Sequence, residues 1–161
     1  MSKRKTLEKW QGRADENFIQ MGLSFVKSPA YKALSAKRRD LLHFAIERHG
    51  KTAHRKKHSA EYYPYDKYGE GVGVRNDDFY LNKMLLVAEG LYSSNNARSM
   101  YDDLSVLCDM GFLIKVNIGR TSTKQKDIYR ISDKWKGIDK NAANEIKKRY
   151  AVKKKARENE A

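Results

Sequence analysis

The chain has 161 residues, 40% hydrophobic and 34% charged, with a formal net charge of +14. That length suits one domain with a basic extension and leaves little room for two. The positive excess points to phosphate backbones before anionic membrane surfaces, and no apolar run approaches the roughly 20 residues that a membrane helix requires.

Residues 1–16 are polar and of mixed charge and read as an arm outside the core. From Ile19 to Phe25, apolar Ile19, Met21, Leu23 and Phe25 alternate with Gln20, Gly22 and Ser24, a period of two that predicts a half-buried strand. Ser28-Pro29 places a capping hydroxyl and a proline at a helix start, so a short helix is expected over 30–34. Ser35 begins a second helix with apolar Ala36, Leu41, Leu42, Ala45 and Ile46, and Gly50 is expected to stop it. Lys37, Arg38 and Arg39 crowd its first turn, where cations oppose the helix dipole unless an anion meets them.

Residues 51–75 read as an irregular insertion. It carries Arg55, Lys56 and Lys57 between two histidines, four tyrosines around Pro64, and Gly69, Gly71 and Gly73. The tyrosines fit a lid on the core, a stacking surface for bases, or a partner contact. A short strand is expected within 72–81. Asn82 then caps a helix over 83–89 whose Met84, Leu85, Leu86, Val87 and Ala88 predict burial on all sides. After the turn Gly90-Leu91-Tyr92, Ser93 or Ser94 caps a helix over 95–110, with Ala97, Met100, Tyr101, Leu104, Leu107 and Cys108 at helical spacing. Gly111 ends it. Phe112–Ile118 and Ile128–Ile131 read as two strands joined by the polar loop 119–127. Beyond Lys140, Ile146, Tyr150 and Val152 make only a thin stripe, while seven basic side chains fall between Lys147 and Arg157. A solvent-exposed helix, ordered on contact with nucleic acid, is expected there.

Helix, tight turn, helix, glycine, strand, basic loop, strand is the order of a winged helix-turn-helix. The expected fold is therefore α+β and mostly helical, with a two- or three-stranded wing sheet and a basic C-terminal helix. Its boundaries are an arm at 1–16, the winged-helix domain at 17–135 and the tail at 136–161.

Three stretches also carry a resemblance. Ser28-Pro29-Ala30-Tyr31-Lys32-Ala33-Leu34-Ser35, the turn Tyr92-Ser93-Ser94-Asn95-Asn96, and Leu104 through Gly111-Phe112-Leu113-Ile114 resemble winged-helix proteins of Gram-positive plasmids and conjugative elements. These include replication initiators of the RepA N-domain type and accessory proteins that bind transfer origins. The likeness spans residues 17–133; the insertion at 51–75 and the basic tail depart from it. It implies a double-stranded-DNA-binding protein that marks an origin for a relaxase or replication protein. A transcriptional regulator of the element, or a protein- or RNA-binding module, are the alternatives.

Charge then locates the expected contacts. Residues 1–60 hold 15 basic and 5 acidic side chains, residues 61–110 hold 4 and 9, and residues 111–161 hold 15 and 6. The second helix of the pair offers Ser94, Asn95, Asn96, Arg98 and Ser99 to a groove, Arg suiting guanine and Asn adenine. Yet Asp102 and Asp103 on the same helix oppose a phosphate-dense partner. The hairpin carries Lys115, Arg120, Lys124, Lys126 and Arg130 around Thr121, Ser122 and Thr123, which suits a groove lined by phosphates. Lys37, Arg38, Arg39, Arg55, Lys56 and Lys57, with Lys147, Lys148 and Lys153 of the tail, complete the expected backbone contacts.

No catalytic or metal site is expected. His49, His54 and His58 lack a completing cysteine pair or carboxylate. Asp77-Asp78 and Asp102-Asp103 are adjacent acids that point apart, the spaced glycines lack the Lys-Ser/Thr of a phosphate loop, and Cys108 falls on a buried stripe. The lone cysteine, which excludes an internal disulfide, and the absence of a leader-like apolar segment near residues 1–9 favour the cytoplasm. A homodimer is compatible with such a fold, the acidic helix offering a face.

Overall fold

The computed structural model describes residues 21–56, 78–81, 83–117 and 127–159. In chain order the elements are α1 (Leu23–Lys27), α2 (Pro29–Ala33), α3 (Ala36–Lys56), β1 (Phe79–Tyr80), α4 (Lys83–Ala88), α5 (Ala97–Asp109), β2 (Leu113–Asn117), β3 (Ile128–Ile131), a 3-10 turn (Lys134–Gly137) and α6 (Lys140–Asn159). The protein is α+β and mostly helical, with a three-stranded antiparallel sheet in the order β1-β3-β2.

The expected strand before Ser28 is a helix where it is described. From Leu23 the backbone coils, because Phe25 is drawn into an aromatic cluster rather than along a sheet edge. Its ring lies 5.5 Å from Tyr31, 5.3 Å from Phe112 and 5.0 Å from Trp135. Ser28 serves both neighbours: its hydroxyl donates to the Phe25 carbonyl at 2.7 Å and accepts from the Tyr31 amide at 3.2 Å. It thus closes α1 and caps α2, and Pro29 occupies the first position of α2, where no amide is needed.

Helix α3 buries Leu41, Leu42, Phe44 and Ala45. It does not stop at Gly50 but continues to Lys56, so the first part of the insertion is helical. A glycine in a helix interior costs only about 1 kcal/mol, too little to end a helix without a left-handed backbone or a following proline. Residues 57–77, with the tyrosine cluster and the spaced glycines, lie outside the described residues.

Helix α4 is not buried on all sides. Leu86 is fully buried, but Met84 is 81% exposed; a helix this short meets the core along one line. Gly90, at φ 72°, closes it. Helix α5 begins at Ala97 rather than Asn95, with Asn96 at its cap position and no capping side chain. It buries Met100, Leu104, Val106 and Leu107.

Gly111 is required where it stands. Its φ is 76°, its carbonyl accepts from the Trp135 amide at 3.1 Å, and a Cβ there would sit 2.5 Å from that same nitrogen. This glycine turns α5 into β2, which pairs with β3 through Leu113↔Ile131, Ile114↔Arg130 and Lys115↔Tyr129. β1 covers the other side of β3 through Phe79↔Tyr129 and Tyr80↔Ile128. Tyr129, at the centre, is 2% exposed.

Helix α6 is not a helix standing apart from the domain. Ala143 and Tyr150 are buried in the same core, Ile146 packs against it, and the helix contacts α2 and α5. The stripe is thin, as the sequence implied, but it is enough to seat the helix. Val152 remains 66% exposed.

Candidate nucleic-acid interface

Helix α5 and its neighbours hold most of the described residues expected to meet DNA. On one side stands the start of α3. Lys37 is exposed, its ammonium 4.0 Å from the centroid of the Tyr92 ring, a cation–π arrangement. Arg38, expected to meet phosphate, turns inward instead. Its Nε donates to Asp103 Oδ1 at 2.7 Å, and the Tyr92 hydroxyl donates to Asp103 Oδ2 at 2.8 Å. Burial, and after it the Asp103 carboxylate, raises the Tyr92 hydroxyl pKa above its ordinary value. Arg39 is also engaged, with Nη2 donating to the Lys32 carbonyl at 3.2 Å and its guanidinium over the Tyr31 ring. Only Lys37 of the three cations in this turn faces outward.

This geometry corrects the reading of the acidic pair. Asp103 is 8% exposed and faces α3, so it presents no charge to a duplex. Asp102 alone lies on the outward side, half-buried. Ser94, Asn95, Asn96 and Arg98 are exposed, whereas Ser99 is half-buried. The asparagines precede the helix and form the turn beside Lys37.

The base of the β2–β3 hairpin is split in the same way. Lys115 is exposed and pairs with Asp127 at 3.1 Å. Arg130, expected at the groove, is engaged within the sheet: Nε and Nη2 donate to the two oxygens of Asp78 at 2.7 and 2.9 Å, and that carboxylate is fully buried. A charge taken out of water needs such a partner, and the pair fastens β1 to β3. Arg120, Thr121, Ser122, Thr123, Lys124 and Lys126 lie outside the described residues.

On the other side of α5 runs α6. Arg149 Nη2 and the Tyr150 hydroxyl both donate to Asp109 Oδ2, at 2.9 and 2.8 Å. Burial, then Asp109, pushes the Tyr150 phenol up to about 12. Lys147 is exposed; Lys148 pairs with Glu145 at 3.1 Å, and the Lys153 ammonium lies 5.0 Å from the Tyr150 ring centroid. Arg55 and Lys56 belong to the last turn of α3, and Lys57 lies outside the described residues.

His43 and His49 have structural partners. The His43 ring nitrogen and the Tyr31 hydroxyl share a hydrogen bond at 2.9 Å, and His49 meets the Phe79 ring edge-on. Among the described residues no three His, Cys, Asp or Glu side chains could hold a metal ion, and no helix is long and apolar enough to cross a membrane. Burial pushes the Cys108 thiol up to about 11.

Sequence reasoning missed Tyr92, Asp78 and Asp109 as organising residues. Their partners are 11, 52 and 40 positions away, and no periodicity joins residues so far apart. Comparison with protein-family models, curated proteins and solved structures finds no match.

Proposed function

We propose that this chain is a winged-helix protein that binds double-stranded DNA without catalysing a reaction. Helices α4 and α5, with the turn between them, form the helix-turn-helix; β2, β3 and their connection form the wing. One observation carries this reading. Ser94, Asn95 and Arg98 are exposed at the start of α5, the exposed Lys37 packs over Tyr92 just before them, and Asp103 is buried against Arg38 and Tyr92, which leaves the half-buried Asp102 as the one acid of the pair on the outward side. Groups suited to reading bases thus follow directly on a turn that carries a cation suited to phosphate, which supports groove entry by the beginning of a recognition helix.

The cations at 120–126 add a sequence-level argument for a wing contact across the backbone. With the resemblance to plasmid and conjugative-element proteins, the role that fits is to mark an origin of transfer or replication in the cytoplasm, where a relaxase or replication protein then assembles. Regulation of transcription uses the same surface and differs only in where the bound site lies.

Fluorescence anisotropy on candidate-origin and scrambled duplexes, over a salt series, tests the proposal. The double variant Asn95→Ala/Arg98→Ala is expected to lose preference between the two duplexes, each bidentate base contact contributing about 1–3 kcal/mol of discrimination. The triple variant Arg120→Ala/Lys124→Ala/Lys126→Ala is expected to weaken both equally and to flatten the salt dependence. A wild-type protein that binds no duplex in low salt would end this reading.

A further inference from the structure

Helix α5 has two cationic neighbours, and the geometry puts them on different sides of it. Asp103 marks the α3 side, because it receives Arg38. Tyr101, Ser105, Cys108 and Asp109 mark the α6 side, because they line a crevice of about 300 Å³ together with Tyr150. At about 100° per residue, Ser105 stands about 200° round the helix from Asp103. By the same measure Arg98 stands within about 20° of both Ser105 and Asp109, so it lies along the α6 side. A duplex that takes Arg98 into its major groove therefore brings a sugar-phosphate strand toward α6.

We propose that α6 is a second backbone-contacting flank, aligned by Asp109. The inference rests on the duplex-binding reading above. On the α3 side the contacting group is Lys37. On the α6 side the groups are Lys147, Lys153 and Lys155, all exposed. Residues 151–156 of α6 are exposed without interruption, so the helix continues past the buried Tyr150 as a cationic rod. Cations near a helix C-terminus also complement its dipole, so the rod holds its charge without strain. What aims it is the pair of bonds that Arg149 and Tyr150 make to one oxygen of Asp109 in the last turn of α5. Asp109 is therefore a positioning residue, acting on DNA through α6.

The sign of the effect at Asp109 separates positioning from simple charge. Removing an acid close to DNA should raise affinity if only charge matters; if Asp109 aims α6, affinity falls. The experiment measures binding of the full chain to scrambled and candidate-origin duplexes across a salt series. For Lys147→Ala/Lys153→Ala/Lys155→Ala, affinity is expected to fall roughly tenfold to a hundredfold on both duplexes. The slope of log affinity against log salt should become shallower by about 2 to 3, with the preference between duplexes unchanged. Asp109→Ala is expected to weaken binding several-fold despite the lost negative charge. Tyr150→Phe, which keeps the ring in the core, is expected to shift in the same direction.

Unchanged affinity and slope in the lysine variant, while the hairpin variant loses binding, would remove α6 from the interface and leave the duplex-binding reading intact. Tighter binding by Asp109→Ala would remove its positioning role. Loss confined to single-stranded DNA or to anionic lipid vesicles would overturn the assignment of a duplex to α6. A wild-type chain that binds no duplex would take both readings down.

Discussion

Helix α5 is gripped on each side by an arginine–aspartate pair, and the two pairs differ in one respect. Arg38–Asp103 has side chains 21% and 11% exposed; Arg149–Asp109 has side chains 53% and 39% exposed. The chemistry and the distances are nearly the same. Water is the difference. A buried pair whose partner is removed leaves a charge with neither solvent nor counterion, whereas an exposed pair is replaced by hydration. The α3 flank is thus a fixed joint, and the α6 flank an adjustable one. On the proposed duplex-binding reading, Ser94 and Asn95 precede the fixed joint and the lysines of α6 follow the adjustable one.

The strongest way to break this comparison is Asp103→Ala. It leaves Arg38 without its carboxylate and the Tyr92 hydroxyl without its acceptor, and a loss of about 3–5 kcal/mol is expected in urea unfolding. A loss below about 1 kcal/mol would make the two joints equivalent. Asp109→Ala is expected to cost no more than about 1 kcal/mol in the same measurement, and less at high salt.

Acid sharpens the picture on the α3 side. Burial lowers the pKa of His43 below its ordinary 6.5, opposed by Asp40 and reinforced by Arg39. The unfolded chain therefore takes up this proton more readily than the folded one. Its contribution is fully present above pH 6.5 and is lost as pH falls through the folded-state value. Urea midpoints compared above and below that range should drop in acid for the wild type and drop less for His43→Gln. The smallest expected effect concerns chemistry rather than folding. With its thiol at about 11 instead of 9.0, folded Cys108 should react with iodoacetamide at mild alkaline pH about a hundredfold more slowly than in urea. Equal rates would place the thiol in water.

Much of the fold was legible because its signals are local. Ser28-Pro29 starts a helix by capping chemistry, Gly111 is where a left-handed backbone is needed, and the α5 stripe repeats at helical spacing. Failures came where a distant partner decided the outcome. Phe25 coils because Phe112 and Trp135 receive it, and alternation over a few residues cannot register that. Gly50 looked like a stop, yet nothing after it supplied the backbone turn a stop needs. At the candidate interface, cations were visible but their orientation was not. Lys37 and Arg38 are neighbours in sequence, one outward and one inward, and only the position of Asp103 separates them.

The sheet order β1-β3-β2 has a consequence for how the chain reaches this structure. β2 and β3 are joined by a short connection, so their hairpin closes early and at small entropic cost. β1 must be brought to β3 across α4, α5 and β2, pairing Phe79 with Tyr129, and loop closure over that span is expected late. Until it does, Arg130 lacks the Asp78 carboxylate that compensates it. Substitution at Asp78 is thus expected to speed unfolding while leaving the folding rate nearly unchanged, making β1 the last strand to arrive and the first to leave.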